Sequence, residues 1–396
     1  MYKKLIHTPE GVRDIYGIEN RNKLAVEDSI MKLIRNYGYE DIQTPVFEFF
    51  DIFSGNIGTI PSKELYKFFD KEGNTLALRP DFTPSIARAT AKYFADDNMP
   101  LRFCYIGNTF NNTMEYRGRL KETTEIGAEL INDDSVDADV EVLMMVIEAL
   151  LKCGIRDFQL SIGNVEFFKG LCAEYGINEE MELKLRETIN DKSYFGTQDI
   201  LDSLDLKDNV KEIFSRMPEM FGGLDTLKEA AGYVTNERSR GAIERLQNIY
   251  DILKHNGMDA YVTFDPGMLS KYNYYTGIIF RAYTYGSGDA VIKGGRYDNL
   301  LSEFGKSAPA VGFCIMVDQL LSVLSRQNIS IKLPGYDKYL LSYNEKTRRD
   351  AYLKAIKLRE QGKCVVMVNE RVYDRDSINT YADENGYKHI TAEDEA

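Results

Sequence analysis

The chain has 396 residues, 43% of them hydrophobic and 28% charged, with a formal net charge of −13 at pH 7. That size and composition suit a globular protein of two or three domains with a large core, and no run approaches the ~20 apolar residues of a membrane helix. The negative charge argues against nucleic acid as a partner, because a binder must meet many phosphates with Lys and Arg.

The N-terminus, MYKKLIHTPEG, carries two lysines but no following apolar stretch, so no secretory signal is expected. From Glu19 to Tyr37, the residues Leu24, Ile30, Leu33, Ile34 and Tyr37 recur at helical spacing, and Gly38 suits a C-terminal cap. YEDIQTPVFE follows as a short strand broken by Pro45. Thr75 to Leu78 read as a strand, and Thr83 with Pro84 suit the start of another helix. The segment Tyr105 to Thr124, YIGNTFNNTMEYRGRLKETT, reads as strand, loop, strand and runs on into EIGAELIN. Asp133 to Gly154 form an amphipathic helix with Val140, Leu143, Met144, Ile147, Leu150 and Leu151 on one face, and FQLSIGN is a further strand.

From about Asn164 to Gly257, helical runs alternate with polar breaks, which predicts an inserted helical domain. Strand character returns at AYVTF and continues through YYTGIIFRAYTYGSGDAVIKGGRYD, with a turn at Gly286 and Gly288. AVGFCIMVDQLLSVL reads as a strand or loop leading into a helix. Beyond Leu333, DKYLLSY, TRRDAYLKAIKLREQG, KCVVMVN, a short helix and YKHIT make a small βαβαβ unit. The cysteines (Cys104, Cys153, Cys172, Cys314, Cys364) lack CxxC spacing and the histidines (His7, His255, His389) lie far apart, so reduced thiols and no metal site are expected.

Six segments in order carry a resemblance: TPEGVRD, LRPDFT, the hairpin with EIGAE, YYTG, GGRYDNL and AVGF. Together they resemble class II aminoacyl-tRNA synthetases, the histidyl type most closely, over nearly the whole chain. The resemblance implies an α+β fold: a class II synthetase-like antiparallel sheet flanked by helices, with a helical insertion and a small C-terminal α/β unit. Residues 1–163 and 258–333 would be the two parts of the core, 164–257 the mainly helical insertion, and 334–396 a truncated anticodon-binding-like unit. The helix and strand that end at Pro45 resemble motif 1, which implies a homodimer interface there.

Activating an amino acid joins two anions, a carboxylate and the α-phosphate of ATP, so fixed cations must meet the developing charge. Three arginines do much of this in the synthetases, and the matching positions here are Asn111, Ser270 and Gln319. Lys271 lies one residue from the second, but neighbours in an extended segment point opposite ways. The resemblance therefore implies a catalytically silent chain. The positions matching the synthetase amino-acid pocket imply a histidine site made by Asp81, Thr83, Arg119, Glu125, Glu129, Tyr274 and Tyr275 over Gly294 and Gly295. Asp81 is a shorter acid than its counterpart, and Glu125 replaces a glutamine. Carboxylates suit an ammonium, and tyrosines with a carboxylate suit a cationic or N–H-donating ring. A pocket kept only for stability is the alternative.

A synthetase-like core without these arginines, on an acidic chain with a short C-terminal unit, is similar to the regulatory subunits of ATP phosphoribosyltransferase, the first enzyme of histidine biosynthesis. This implies a cytoplasmic, non-catalytic protein, without cofactor, in a hetero-oligomer with the short-form ATP phosphoribosyltransferase catalytic subunit. It would enable that subunit's activity and contribute to feedback by L-histidine. Two other readings stay open: a stand-alone histidine or tRNA sensor, and an active histidyl-tRNA synthetase, which would need cations at Asn111 and Gln319.

Overall fold

The structure is a computed structural model that describes residues 6–54, 60–112, 120–270, 274–333, 335 and 337–394. Its centre is a pair of ten-residue strands, Leu101–Phe110 and Glu122–Ile131, antiparallel along their whole length. Because successive side chains alternate between faces, Cys104, Ile126, Ala128 and Leu130 enter the main apolar core, while Phe103 and Tyr105 join a smaller cluster on the opposite face.

Eight strands complete this sheet, in the order Glu40–Asp41, Leu101–Phe110, Glu122–Ile131, Ala310–Met316, Ile292–Arg296, Ile278–Thr284, Phe158–Asn164 and Val262–Phe264. The six central strands are antiparallel to one another, whereas each edge strand runs parallel to its neighbour. The expected antiparallel sheet is thus bordered by two short parallel strands, each reached by a crossover connection through helix. Solved relatives described below share this fold.

The core face packs on the helices Gly17–Asn36 and Val136–Lys152. In the first, Val26, Ile30, Met31, Leu33 and Ile34 are buried, but Leu24 is 54% exposed, so the buried stripe begins later than the spacing predicts. Gly38 ends it at φ 85°, a left-handed conformation open to glycine. The second helix starts on Ser135, whose hydroxyl accepts the Ala138 N–H. It is buried almost all round: Val142, Met145 and Val146 are inside as well as Val140, Leu143, Ile147 and Leu150, while Met144 and Leu151 are half-buried.

Pro45 separates two sheets rather than breaking one strand. Glu40–Asp41 joins the large sheet, and Phe47–Phe49 pairs with Thr75–Leu78, which pairs on its other side with Lys67–Phe69, in a separate three-stranded sheet. Arg79 fixes this junction: it donates to Thr44 O at 3.0 Å and Asn108 O at 2.8 Å, and stacks 3.9 Å from the Phe82 ring. Between Asn164 and Val262 the described elements are helical, from Val165–Glu174 to Glu237–His255, apart from a single β-bridge at Gly222. The last of these helices is tied to the core through Asp139, whose side chain is fully buried between Arg245 (2.6 Å) and Arg296 (2.7 Å).

The chain divides into two compact units, Met1–Ile331 and Lys332–Ala396. In the second, three parallel strands lie in the order Cys364–Asn369, Lys338–Tyr343, Lys388–Thr391. Leu341 packs with Ala351, Ala355 and Leu358 of one helix, and its neighbour Leu340 with Ile378 and Ala382 of another. Alternation along one strand therefore seats a helix on each face. No helix among the described residues is long and apolar enough to cross a membrane.

Candidate functional site

The face opposite the main core carries a small cavity. Strand register decides which residues reach it. Phe103, Glu129, Gly312, Gly295 and Ile279 form one row across five strands, and Tyr105, Gly127, Cys314, Lys293 and Arg281 form the next. Gly312 is required because a Cβ there would fall 1.6 Å from Glu129 Oε2, and a Cβ at Gly295 would fall 2.6 Å from the Tyr275 ring. The bare backbone lets Glu129 and Tyr275 lie flat against the sheet and leaves the cavity open.

Of the nine residues expected at a histidine pocket, Asp81, Thr83, Glu129, Tyr274, Tyr275, Gly294 and Gly295 line this cavity together. Gly294 does so through its backbone, since the side a Cβ would occupy faces the Phe280 ring. Glu125 is buried on the same strand, with its Oε1 accepting the Thr109 hydroxyl at 2.9 Å, but it does not line the cavity. Arg119 lies outside the described residues, as does Lys271. Sequence reasoning missed Tyr105, Lys293, Tyr297, Gly312, Phe313 and Cys314. Tyr297 and Gly312 stand inside the quoted motifs GGRYDNL and AVGF; Lys293 and Cys314 flank them, and only register reveals them.

The polar network is built around Glu129, which is 1% exposed. Thr83 donates to its Oε1 at 2.8 Å and Tyr297 to its Oε2 at 2.5 Å. Tyr297 in turn meets Tyr274 edge-on at 5.9 Å, and Tyr274 lies 4.5 Å from Tyr275. The Tyr105 hydroxyl is buried with no hydrogen-bond partner among the described residues. Burial pushes the Glu129 carboxyl up to about 8, against the hydrogen bonds that favour its charged form. Burial and the neighbouring Asp81 push Glu125 up as well, and burial raises Asp81. Two buried carboxyls on the cavity wall, with Glu125 close enough to act on Asp81, favour a cationic guest, which would let them ionise.

The positions that match the synthetase arginines lie elsewhere. Asn111 follows the first hairpin strand, and Gln319 sits in the first turn of the helix Val317–Arg326. Ser270 borders a second cavity with Lys169, Arg186 and Tyr275.

Comparison with known proteins places this geometry in a family. The model of the histidyl-tRNA synthetase family matches residues 11–320. A protein of Acetivibrio thermocellus named ATP phosphoribosyltransferase regulatory subunit is 41% identical over 91% of this chain and 86% of its own length. One of the same name from Thermoanaerobacter pseudethanolicus is 36% identical over 98% and 99% of the two chains. The chain belongs to the ATP phosphoribosyltransferase regulatory subunit family. A solved structure from Bacillus halodurans, described as an ATP phosphoribosyltransferase regulatory subunit/histidyl-tRNA synthetase, superposes with a TM-score of 0.86 at 30% identity, covering 98% of both chains.

For this regulatory-subunit homologue the raised carboxyls set a pH dependence. The folded state holds a proton on Glu129 that the unfolded chain releases above its ordinary value of 4.5. Stability from this group is therefore full below that value and falls as pH rises towards about 8, by about 1.4 kcal/mol per unit of difference. Urea unfolding between pH 5 and 8 is expected to show a decline that flattens in Glu129→Gln. Equal slopes for the wild type and this variant would contradict the assignment.

Proposed function

We propose that the chain is the non-catalytic regulatory subunit of an ATP phosphoribosyltransferase complex, enabling a short-form catalytic subunit and carrying feedback by L-histidine. The observation that carries this reading is one of contrast. An acidic, tyrosine-framed cavity is lined by seven of the nine expected residues, while the positions that would need cations for adenylation hold Asn111, Ser270 and Gln319. In this reading histidine binds between Asp81, Thr83, Glu129 and the Tyr274–Tyr275 pair, residues 164–257 are an insertion into the synthetase-like core, and the protein works in the cytoplasm.

A homodimer is proposed through the motif 1 region. It is supported by outward-facing aromatics just after Pro45, with Phe47 51% and Phe49 57% exposed, beside Phe68, whose ring meets that of Phe47 edge-on at 5.7 Å. Aromatic clusters of this kind are typical of association surfaces.

The test is reconstitution. Light scattering on the chain alone should give a dimer. Adding the short catalytic subunit should give a hetero-oligomer with much higher phosphoribosyltransferase activity than either component, and histidine should inhibit it. If histidine acts from this subunit, histidine and the substrates must weaken each other's binding by the same factor. Separate elution, or no activation, would overturn the proposal.

A further inference from the structure

We propose that Lys293 receives the carboxylate of the bound ligand and so makes the cavity select amino acids over the corresponding amines. This rests on the reading that histidine occupies the cavity. The acids Asp81 and Glu129 answer an ammonium and a ring N–H, but an amino acid also brings an anion, and nothing acidic can receive it. Lys293 is the single cation among the described residues that line the cavity. It pairs with Cys314 across the strands, and the same register puts it in the row beside Gly295 and Gly312, on the cavity face.

The environment of the ammonium fits a group that changes partner. Its side chain is 38% exposed and, among the described residues, is held at 3.2 Å by Asp289 Oδ2, four residues earlier in the chain. It is also close enough for its charge to act on Glu125 and Cys314. A long, flexible stem lets such a group turn from a surface carboxylate to a ligand's. The buried Tyr105 hydroxyl, without a partner among the described residues, is a second sign that this cavity is built for a polar guest. The cations Lys169 and Arg186 belong to the cavity on the other side of Tyr275 and are engaged by Glu166 and Glu182.

Calorimetry of the full chain with L-histidine and with histamine, which lacks the carboxylate, tests the idea. Charge-assisted hydrogen bonds of this kind correspond to roughly 10- to 100-fold in affinity. Lys293→Gln should weaken histidine by that factor and leave histamine unchanged or tighter, since a like charge has been removed. Lys293→Arg should restore most of the preference. A structural role would weaken both ligands together, and that result, or an unchanged histidine-to-histamine ratio, would overturn the proposal. Wild-type protein that binds histidine with sensitivity to Glu129→Gln but without discrimination at Lys293 defeats this inference alone. Absence of histidine binding to the wild type defeats the pocket reading and this inference with it.

Discussion

Histidine-dependent exchange of pyrophosphate into ATP is expected to stay at background. Two anions must meet in that reaction, and each fixed donor lost typically costs about 10²–10³ in rate. Three positions that match synthetase arginines are uncharged here. At two of them the structure places an amide oxygen, Asn111 Oδ1 and Gln319 Oε1, buried without a hydrogen-bond partner among the described residues. A neutral amide carries no charge to offset a phosphate, where a guanidinium would bind it. Two described cations that reach Asp318 and Thr124, next to this region, are already engaged. Arg13 is held by Glu19 at 2.5 Å and Asp318 at 3.5 Å, and Lys23 by Thr124 at 2.5 Å and Glu27 at 3.7 Å. Exchange above background, dependent on histidine, would refute this account.

Asp139→Ala is expected to be the most destabilising single substitution in the network that joins the sheet to the helical segment. The Asp139 side chain is fully buried and accepts from Arg296 at 2.9 and 2.7 Å and from Arg245 at 2.6 Å. Arg296 is itself 2% exposed and also donates to the Asp133 carbonyl at 2.9 Å. Removing the carboxylate leaves a guanidinium buried beside a void. Breaking one partner of such a pair costs about 3–5 kcal/mol, far more than a surface ion pair. Urea unfolding monitored by circular dichroism should show that loss, with Arg245→Ala costing less because the Arg245 side chain is 25% exposed. A loss under about 1 kcal/mol for Asp139→Ala would mean that the network relaxes around the gap.

The reading of the chain as a sequence reached far along some elements and stopped short at others. Phe158–Asn164 and Thr75–Leu78 are strands over the residues expected; in the first, apolar and polar residues alternate, which is a local signal. The C-terminal alternation of strands and helices is likewise as read, since short connections leave few alternatives. Thr75–Leu78, however, belongs to the small sheet and not the large one, and nothing in its four residues carries that information. Leu24 follows helical spacing yet faces outward, because periodicity finds an apolar stripe but not the length of the surface that covers it.

The site divides in the same way. Residue types at motif positions were enough to name Asp81, Thr83, Glu129 and the tyrosine pair, and to show that Asn111, Ser270 and Gln319 are uncharged. Those statements depend on identity and order along the chain, which sequence holds completely. Tyr105, Cys314 and Lys293 share one cavity only because three antiparallel registers align them across the sheet, and a slip of one residue would send each to the other face. Register follows from the packing of Ile126, Ala128, Val311, Phe313 and Ile292 against helices far away in the chain. That sum of many weak contacts has no local signature, so the chemistry of the cavity wall was decided by tertiary structure.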